Sequence, residues 1–572
     1  MKNLTNKIII LFLSSIVLLG CNEDDFLTET NPNAYDASLF YKKESDFNSA
    51  LTTVYGALQY ASVSGSQLLF EMAQGDLSWA YPWSPALAFQ DLTFNDGLGQ
   101  IENKWDELYV GINRANQVIV NIQNADPDLF NNYDKEIIEA QARFLRAFFY
   151  FQLVTTYNQG VLHIDLVTNE QEAQKPLTTR QEITDVVIIP DLEFAKSKLP
   201  ETWGDGDIGR ATKGAATSLL GKLYLYDKNY TVAATEFKEV IDSGVYSLTP
   251  DYKDNFEHYR EFNEESIFEV NFSFDLAEGA NGNWIDDVPG GNPGAESTAL
   301  GQVLAKLGVG WCQIVASYNL HEMMAADELA DGSGGHSPRL TATIAPGDFE
   351  GEYYGQSLPE NVPGQKWNIG TTAYIKKYTN WYHMEIEPLL NRGGINFRHI
   401  RYADVLLMYA EALLEGGTND GNATTALTYI DMVRSRAKVV TLQRYIADNV
   451  GQFPQFHITQ VGASSPRPLV DPTAANVLTH IQRVERPLEL AFEGHRWKDL
   501  VRWGIAGQVL TETDTYTQNF QANIVRRTQP VYSYGWLNPT NGLSFRNASN
   551  FYSSAFDYWP IPNKERQNNN NL

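Results

Sequence analysis

Cysteine is almost missing from this chain: Cys21 and Cys312 are the two in 572 residues. Basic residues are also scarce, 43 Lys and Arg against 70 Asp and Glu, for a formal net charge of -27. That balance excludes nucleic acid and anionic membrane surfaces as partners, because phosphate binding needs basic surface. No phosphate-cradling Gly-Lys loop and no nucleophile elbow occurs. His321 and Glu322 begin like a zinc-protease helix, but the second histidine is absent. Asp205, Gly206 and Asp207 begin like a calcium loop that Ile208 and Gly209 then break. No cofactor and no metal is expected. With 70 acidic residues, any carboxylate pair chosen for glycoside hydrolysis is uninformative.

Long apolar runs are absent after the N-terminus. There, Lys2 and Lys7 precede an apolar stretch, 8–20, that is too short to span a bilayer comfortably and follows the grammar of a signal peptide. Its end, Leu18, Leu19, Gly20, Cys21, resembles the lipobox of bacterial lipoproteins. Residues 1–20 are therefore expected to be removed, Cys21 to carry the lipids, and residues 21–40 to form a tether. Acyl chains contribute ~0.8 kcal/mol per buried CH₂, enough to anchor a protein with no membrane-spanning helix. Asn22, Glu23, Asp24 and Asp25 resemble a surface-export signal and equally suit a solvated tether, so an outer-membrane address facing the exterior is expected only in part from this start. With Cys21 lipidated, Cys312 has no disulfide partner and reads as a small buried hydrophobe.

What the chain does have is a globular composition, 43% hydrophobic with 20% charged, and many aromatics: 12 Trp, 30 Tyr and 28 Phe. It is one large domain or two closely packed ones. Over 136–157, Ala140, Phe144, Ala147, Phe148 and Phe151 recur at helical spacing and give one apolar stripe, which Asn158 and Gly160 stop. Over 211–244, Leu220, Gly221, Tyr224, Ala233 and Phe237 fall at the spacing of a tetratricopeptide repeat. Small Gly221 and Ala233 let two helices approach, and Tyr224 and Phe237 fill the space between them. A second hairpin is expected over 400–437, with Tyr409, Ala426, Ile430 and Val433 in similar roles. Between 271 and 398 the texture turns to Gly, Pro, Asn and aromatics, the mark of long loops on which binding residues sit. The expected fold is mainly α: tetratricopeptide-like hairpins as a scaffold, long irregular loops and minor β structure. Its helical N-terminal part runs over 41–260 and its loop-rich C-terminal part over 261–572.

Taken in order, the landmarks resemble the SusD/RagB family. Asp25, Phe26, Leu27 and Thr28, with Pro32, are similar to its mature N-terminus; Ala142, Arg143, Phe144, Leu145, Arg146 and Ala147 are similar to an early helix. Ala211, Thr212, Lys213, Gly214 and Ala215 open the repeat segment, and Arg401, Tyr402, Ala403, Asp404, Val405, Leu406 and Leu407 resemble the most recognisable helix. Glu485, Arg486, Glu489, Glu493, Gly494, Arg496, Asp499, Arg502 and Trp503 resemble its late helix, and Trp559, Pro560, Ile561 and Pro562 its closing strand. Ser337 departs from the acidic residue often found before Pro-Arg-Leu. The resemblance implies a binding protein and not an enzyme: a lipoprotein that captures oligosaccharide, or sometimes peptide, for a SusC-like TonB-dependent transporter and closes over its pore. A surface glycosidase and a pure scaffold are the other readings the residues leave open.

A sugar ring offers one CH-rich face and an edge of hydroxyls, so its site needs flat aromatics with polar groups at the rim. In the segment 75–85, Pro82 and Pro85 forbid a helix, so Trp79, Tyr81 and Trp83 are not an ordinary core stripe. Asp76 is expected to accept from sugar hydroxyls. Trp284 with Asp286 and Asp287, then Trp311, Trp367, Tyr374, and Trp381 with Tyr382, are further candidates, two or three of which are expected to converge with Trp79 and Trp83. Arg143, Arg146, Glu493, Arg496 and Asp499 read as ion pairs between helices, not as a site.

Overall fold

The computed structural model describes residues 40–572 except 82, 132–133, 276–295, 307, 346–350, 359–372, 386–392, 459–466 and 513–551. Cys21, Trp284, Asp286, Asp287 and Trp367 lie outside the described residues. Among the described residues no helix is long and apolar enough to cross a membrane.

The scaffold is helical: α1 (Glu44–Gly56), α2 (Gly99–Gln123), α3 (Lys135–Tyr157), α4 (Ile189–Lys198), α5 (Lys213–Tyr226), α6 (Tyr230–Asp242), α7 (Tyr318–Ala325), α8 (Tyr402–Leu413), α9 (Ala423–Arg436) and α10 (Arg496–Trp503). Asp134 caps α3 by accepting from the Glu136 N–H at 2.9 Å, and Asn158 ends it in the left-handed region at φ 60°. The single apolar stripe expected of α3 is a correction. From Ile138 onward nearly every residue is buried, because α1, α2 and α4 all pack on it. The polar members survive there by pairing: Arg146 holds both oxygens of Asp191 on α4 at 2.7 and 2.9 Å, and Arg143 reaches the same carboxylate at 2.9 Å.

Both hairpins form. In α5–α6 a Cβ on Gly221 would lie 2.8 Å from the Phe237 ring, so only glycine permits this approach. Phe237 is fully buried, but Tyr224 is only half-buried and stays at the rim of the hairpin it was expected to fill. In α8–α9, Ala426, Ile430 and Val433 are buried, and Tyr409 meets Tyr429 edge-on at 4.7 Å.

Strands are short: β1 (Ser78–Ala80), β2 (Ser266–Val270), β3 (Ile314–Ala316), β4 (Ile344–Ala345), β5 (Tyr374–Ile375) and β6 (Phe397–Arg401). They pair antiparallel as β1–β3, β2–β6 and β4–β5. The stretch expected as plain loops thus holds strands and α7, and also a helix, Pro338–Thr343, whose N-cap Ser337 accepts from the Leu340 N–H at 3.3 Å. The expected closing strand at Trp559 forms no ladder among the described residues; Pro560 and Pro562 have no N–H to donate, and Trp559 is instead buried.

The late helix is broken. A short helix, Arg486–Glu489, and α10 are separated by Phe492 at φ 62° and Gly494 at φ 78°. The break lets Glu489 and Glu493 converge on one guanidinium: Arg401 reaches Glu265 and Glu489 at 2.7 Å and Glu493 at 2.8 Å, all fully buried. Lys377 adds a 2.8 Å contact to Glu493, and Arg436 pairs with Glu265 at 2.6 Å. A second network links Arg486 to Asp404 at 2.7 Å and to Asp499 at 2.8 Å, with Lys222 on Asp404 at 3.1 Å. Burial raises the Glu493 carboxyl, but Arg401 and Lys377 outweigh it and hold it at about 2. Charges this deep persist only when each has its partner, so the networks fix how the helices meet.

One continuous apolar core runs from Phe47 to Ile561. A smaller one, Ala305, Cys312, Val315, Ala345, Tyr353, Tyr354 and Tyr374, lies beside it. The candidate site is built on this second core.

Candidate functional site

The β1–β3 ribbon pairs Ala80 with Ile314 and Trp79 with Val315. One further bond, Tyr81 N–H to the Gln313 carbonyl at 3.2 Å, continues the ladder and brings Trp83 and Trp311 to the same end of the ribbon. A turn closed by Ser84 N–H on the Tyr81 carbonyl, 2.9 Å, follows at once. Trp83 is 46% and Trp311 52% exposed, which is far from core behaviour for indoles. Cys312 accounts for the contrast with its neighbour. Its backbone sits at φ 46°, an unusual region for a residue with a Cβ, and its thiol is buried in the small core while Trp311 stays in solvent.

Behind the exposed pair the aromatics support one another. Tyr81 stacks on Trp83 with centroids 4.3 Å apart and planes 11° from parallel, and Trp79 meets Tyr81 edge-on at 5.0 Å. Trp79, Tyr81 and Trp381 all pack on the small core. Inside it Tyr374 is buried, stacked on Tyr353 at 5.9 Å, so it is a support and not a contact surface. Tyr353 lies 6.4 Å from Trp381, which meets Tyr382 at 5.7 Å, and Tyr382 lies 6.3 Å from half-exposed Tyr259. The Tyr382 hydroxyl accepts from the His258 N–H at 2.8 Å. Trp79, Tyr81 and Trp381 therefore gather round one small core that contains Tyr374, with Trp83 joined through its stack on Tyr81 and Trp311 at the ribbon's end. Tyr353, Tyr354 and Tyr259 were not singled out in the sequence; nothing distinguishes them there from dozens of other aromatics.

Asp76 is placed differently from the expectation. It is buried, and both its oxygens face the Arg496 guanidinium, at 2.7 and 2.9 Å, with Asn319 donating at 3.2 Å. Its carboxylate ties the base of the aromatic segment to α10. The ion-pair expectation for Arg496 holds, as it does for Arg143, Arg146, Glu493 and Asp499.

Among the described residues one buried group has metal-binding donors, His457, His480 and Glu485, whose candidate ligand atoms lie within 4.8 Å of one another. Glu485 is already held by Arg339 at 3.0 Å and by Arg434. Two guanidiniums on the only carboxylate oppose a divalent cation, and the group reads as a corner of the ion-pair network.

Comparison with known proteins decides the family. A profile described as the SusD family matches residues 265–572, and one described as starch-binding associating with outer membrane matches residues 25–225. The chain belongs to the SusD family. SusD-like protein P2 of Formosa agariphila is 26% identical over 543 residues, covering 91% of this chain and 95% of that one. Among solved structures, a SusD superfamily protein from Bacteroides vulgatus superposes with a TM-score of 0.69 at 25% identity, over 93% of this chain and 98% of that one. A laminarin-binding SusD-like protein gives 0.65 at 24% identity, over 92% and 98%. SusD family members are non-catalytic binding proteins, so this SusD family chain is a binding protein and not an enzyme.

Proposed function

We propose that this SusD family chain holds a glycan at the ribbon end formed by Trp83, Tyr81 and Trp311 and delivers it to a SusC-like TonB-dependent transporter. It is anchored through Cys21 in the outer membrane and faces the exterior. The exposed Trp83–Tyr81 stack carries the reading. A flat, rigid, half-exposed indole braced from behind presents the surface that the CH face of a pyranose covers, at little conformational cost. Trp311, which precedes β3 at the same end of the ribbon, supplies a second exposed aromatic surface. The family match supports the address and the partner. Isothermal titration of the full chain against a polysaccharide panel tests the reading. Heat with peptides and none with any glycan would replace it with a RagB-like peptide receptor.

A further inference from the structure

A cleft of about 190 Å³ opens between the turn Tyr252–Asn255 and the helix Pro338–Thr343. Its walls include Phe256, Thr341, Lys253, Lys376 and Trp381. Lys376 follows β5 directly, its N–H donating to the Thr343 carbonyl at 2.9 Å. The ammonium it carries lies 3.9 Å from the centroid of the Trp381 ring. Lys253 sits on the other side, donating to the Tyr259 hydroxyl at 3.2 Å. Two acids also line the cleft. Glu257 is turned to Lys253, 3.6 Å away, and to the Tyr259 hydroxyl, and Asp251 faces Lys438 at 3.8 Å.

We propose that this cleft is a second ligand subsite that takes a pyranose bearing one anionic substituent, carboxylate or sulfate, with the ring on Trp381 and the charge on Lys376. The inference rests on the glycan reading above and adds a substrate class to it. In a chain with a formal charge of -27, Lys376 sets a cation against an indole in an aromatic-lined cleft, which favours an anionic substituent over a neutral one there. Burial pushes the Lys376 ammonium down to about 8, and Glu257 offsets only part of that. An arriving anion restores the favourable field. The flanking acids exclude a polyanion and leave room for a single charge. Trp381 is joined through Tyr353 and Tyr374 to the small core that supports Trp79 and Tyr81, so one folded support carries both subsites.

The test uses matched neutral and charged probes on the full chain: laminarin and C6-oxidised laminarin, xylan and glucuronoxylan, galactan and sulfated galactan. The charged member of at least one pair should bind at least tenfold more tightly than the neutral one, with the carboxylate and sulfate pairs showing which substituent is preferred. Lys376→Met, which keeps the apolar stem over Trp381, should abolish that preference and leave affinity for the neutral member unchanged. Lys376→Arg should restore it, and an unchanged melting temperature in both variants confirms folding. Neutral members binding as well as charged ones, or a preference that survives Lys376→Met, would overturn the subsite and leave the glycan reading standing. If none of the six binds, the subsite falls; if carboxylate-bearing peptides bind and no glycan does, both fall.

Discussion

Tyr81 lies flat against Trp83, centroids 4.3 Å apart and planes 11° from parallel, so the most exposed ring of the aromatic segment is held by its neighbour two residues earlier. The pair should therefore act as one unit. Replacing Trp83 with Ala removes the platform; replacing Tyr81 with Ala leaves the indole free to swing. Each is expected to weaken glycan binding by at least tenfold, about 1.4 kcal/mol. The double variant should be little worse than either single one, because contacting residues are non-additive. Titration of the four proteins checks this; additive losses would show that the rings bind independently.

Gly221 should tolerate no side chain. A Cβ there would meet the Phe237 ring at 2.8 Å, and overpacking of this kind costs about 1–3 kcal/mol. Gly221→Val should lower the melting temperature, and adding Phe237→Leu should recover part of the loss. Glycan affinity should stay the same in both, since the hairpin lies outside the site.

Arg401 is the hub of three buried carboxylates, Glu265, Glu489 and Glu493. Arg401→Met leaves Glu265 and Glu489 to Arg436 and Glu493 to Lys377, one cation short of the three buried carboxylates, and breaking a buried pair from one side destabilises by about 3–5 kcal/mol. Denaturant unfolding should show a loss towards the lower end of that range. A loss below about 1 kcal/mol would mean the network is not closed in the native protein.

Acid should unfold the protein in two stages. Burial, with Lys222 adding to it, lowers the His495 imidazole from 6.5 to about 3, so the folded state binds fewer protons than the unfolded chain below pH 6.5. Stability is full above 6.5 and falls as the pH drops towards 3. Burial raises Glu71, but Lys104 and Lys498 outweigh it and hold it at about 2, as Arg401 and Lys377 do for Glu493. Both carboxylates contribute stability above their ordinary value of 4.5 that is lost as the pH falls towards 2. Melting temperatures between pH 7 and 2.5 should therefore decline gently and then steeply. Burial also holds His163, His399 and His457 below 6.5, so His495→Gln should make the first decline shallower without removing it and leave the second unchanged.

Much of the scaffold was legible in the sequence because helical hairpins advertise themselves locally, through the spacing of Gly221, Ala233 and Phe237 or of Ala426, Ile430 and Val433. The charged residues of the late segment were legible as ion-pair formers, yet not their partners. Arg401 meets Glu265 136 residues away, and Arg496 meets Asp76 across 420. That distance is also why Asp76 was misplaced: next to an aromatic segment it looked like a rim acceptor, and nothing local reveals the guanidinium that claims it. Trp83 could be found because prolines bar it from a helix. Trp311 became convincing only through the register of β1 on β3, and the small core of Ala305 to Tyr374 is met by Trp79 and Tyr81 from far earlier in the chain.

Holding a glycan, uncleaved, at the end of the β1–β3 ribbon is the task proposed for this protein. Its most direct test is isothermal titration of the full chain and of a Trp83→Ala, Trp311→Ala variant against the polysaccharide panel, with reducing ends assayed in the same cell. Saturable heat is expected for the parent protein, with a loss of at least tenfold in affinity for the folded variant and no new reducing ends in either. Unchanged affinity in the variant, or release of reducing sugar by the parent, would contradict it.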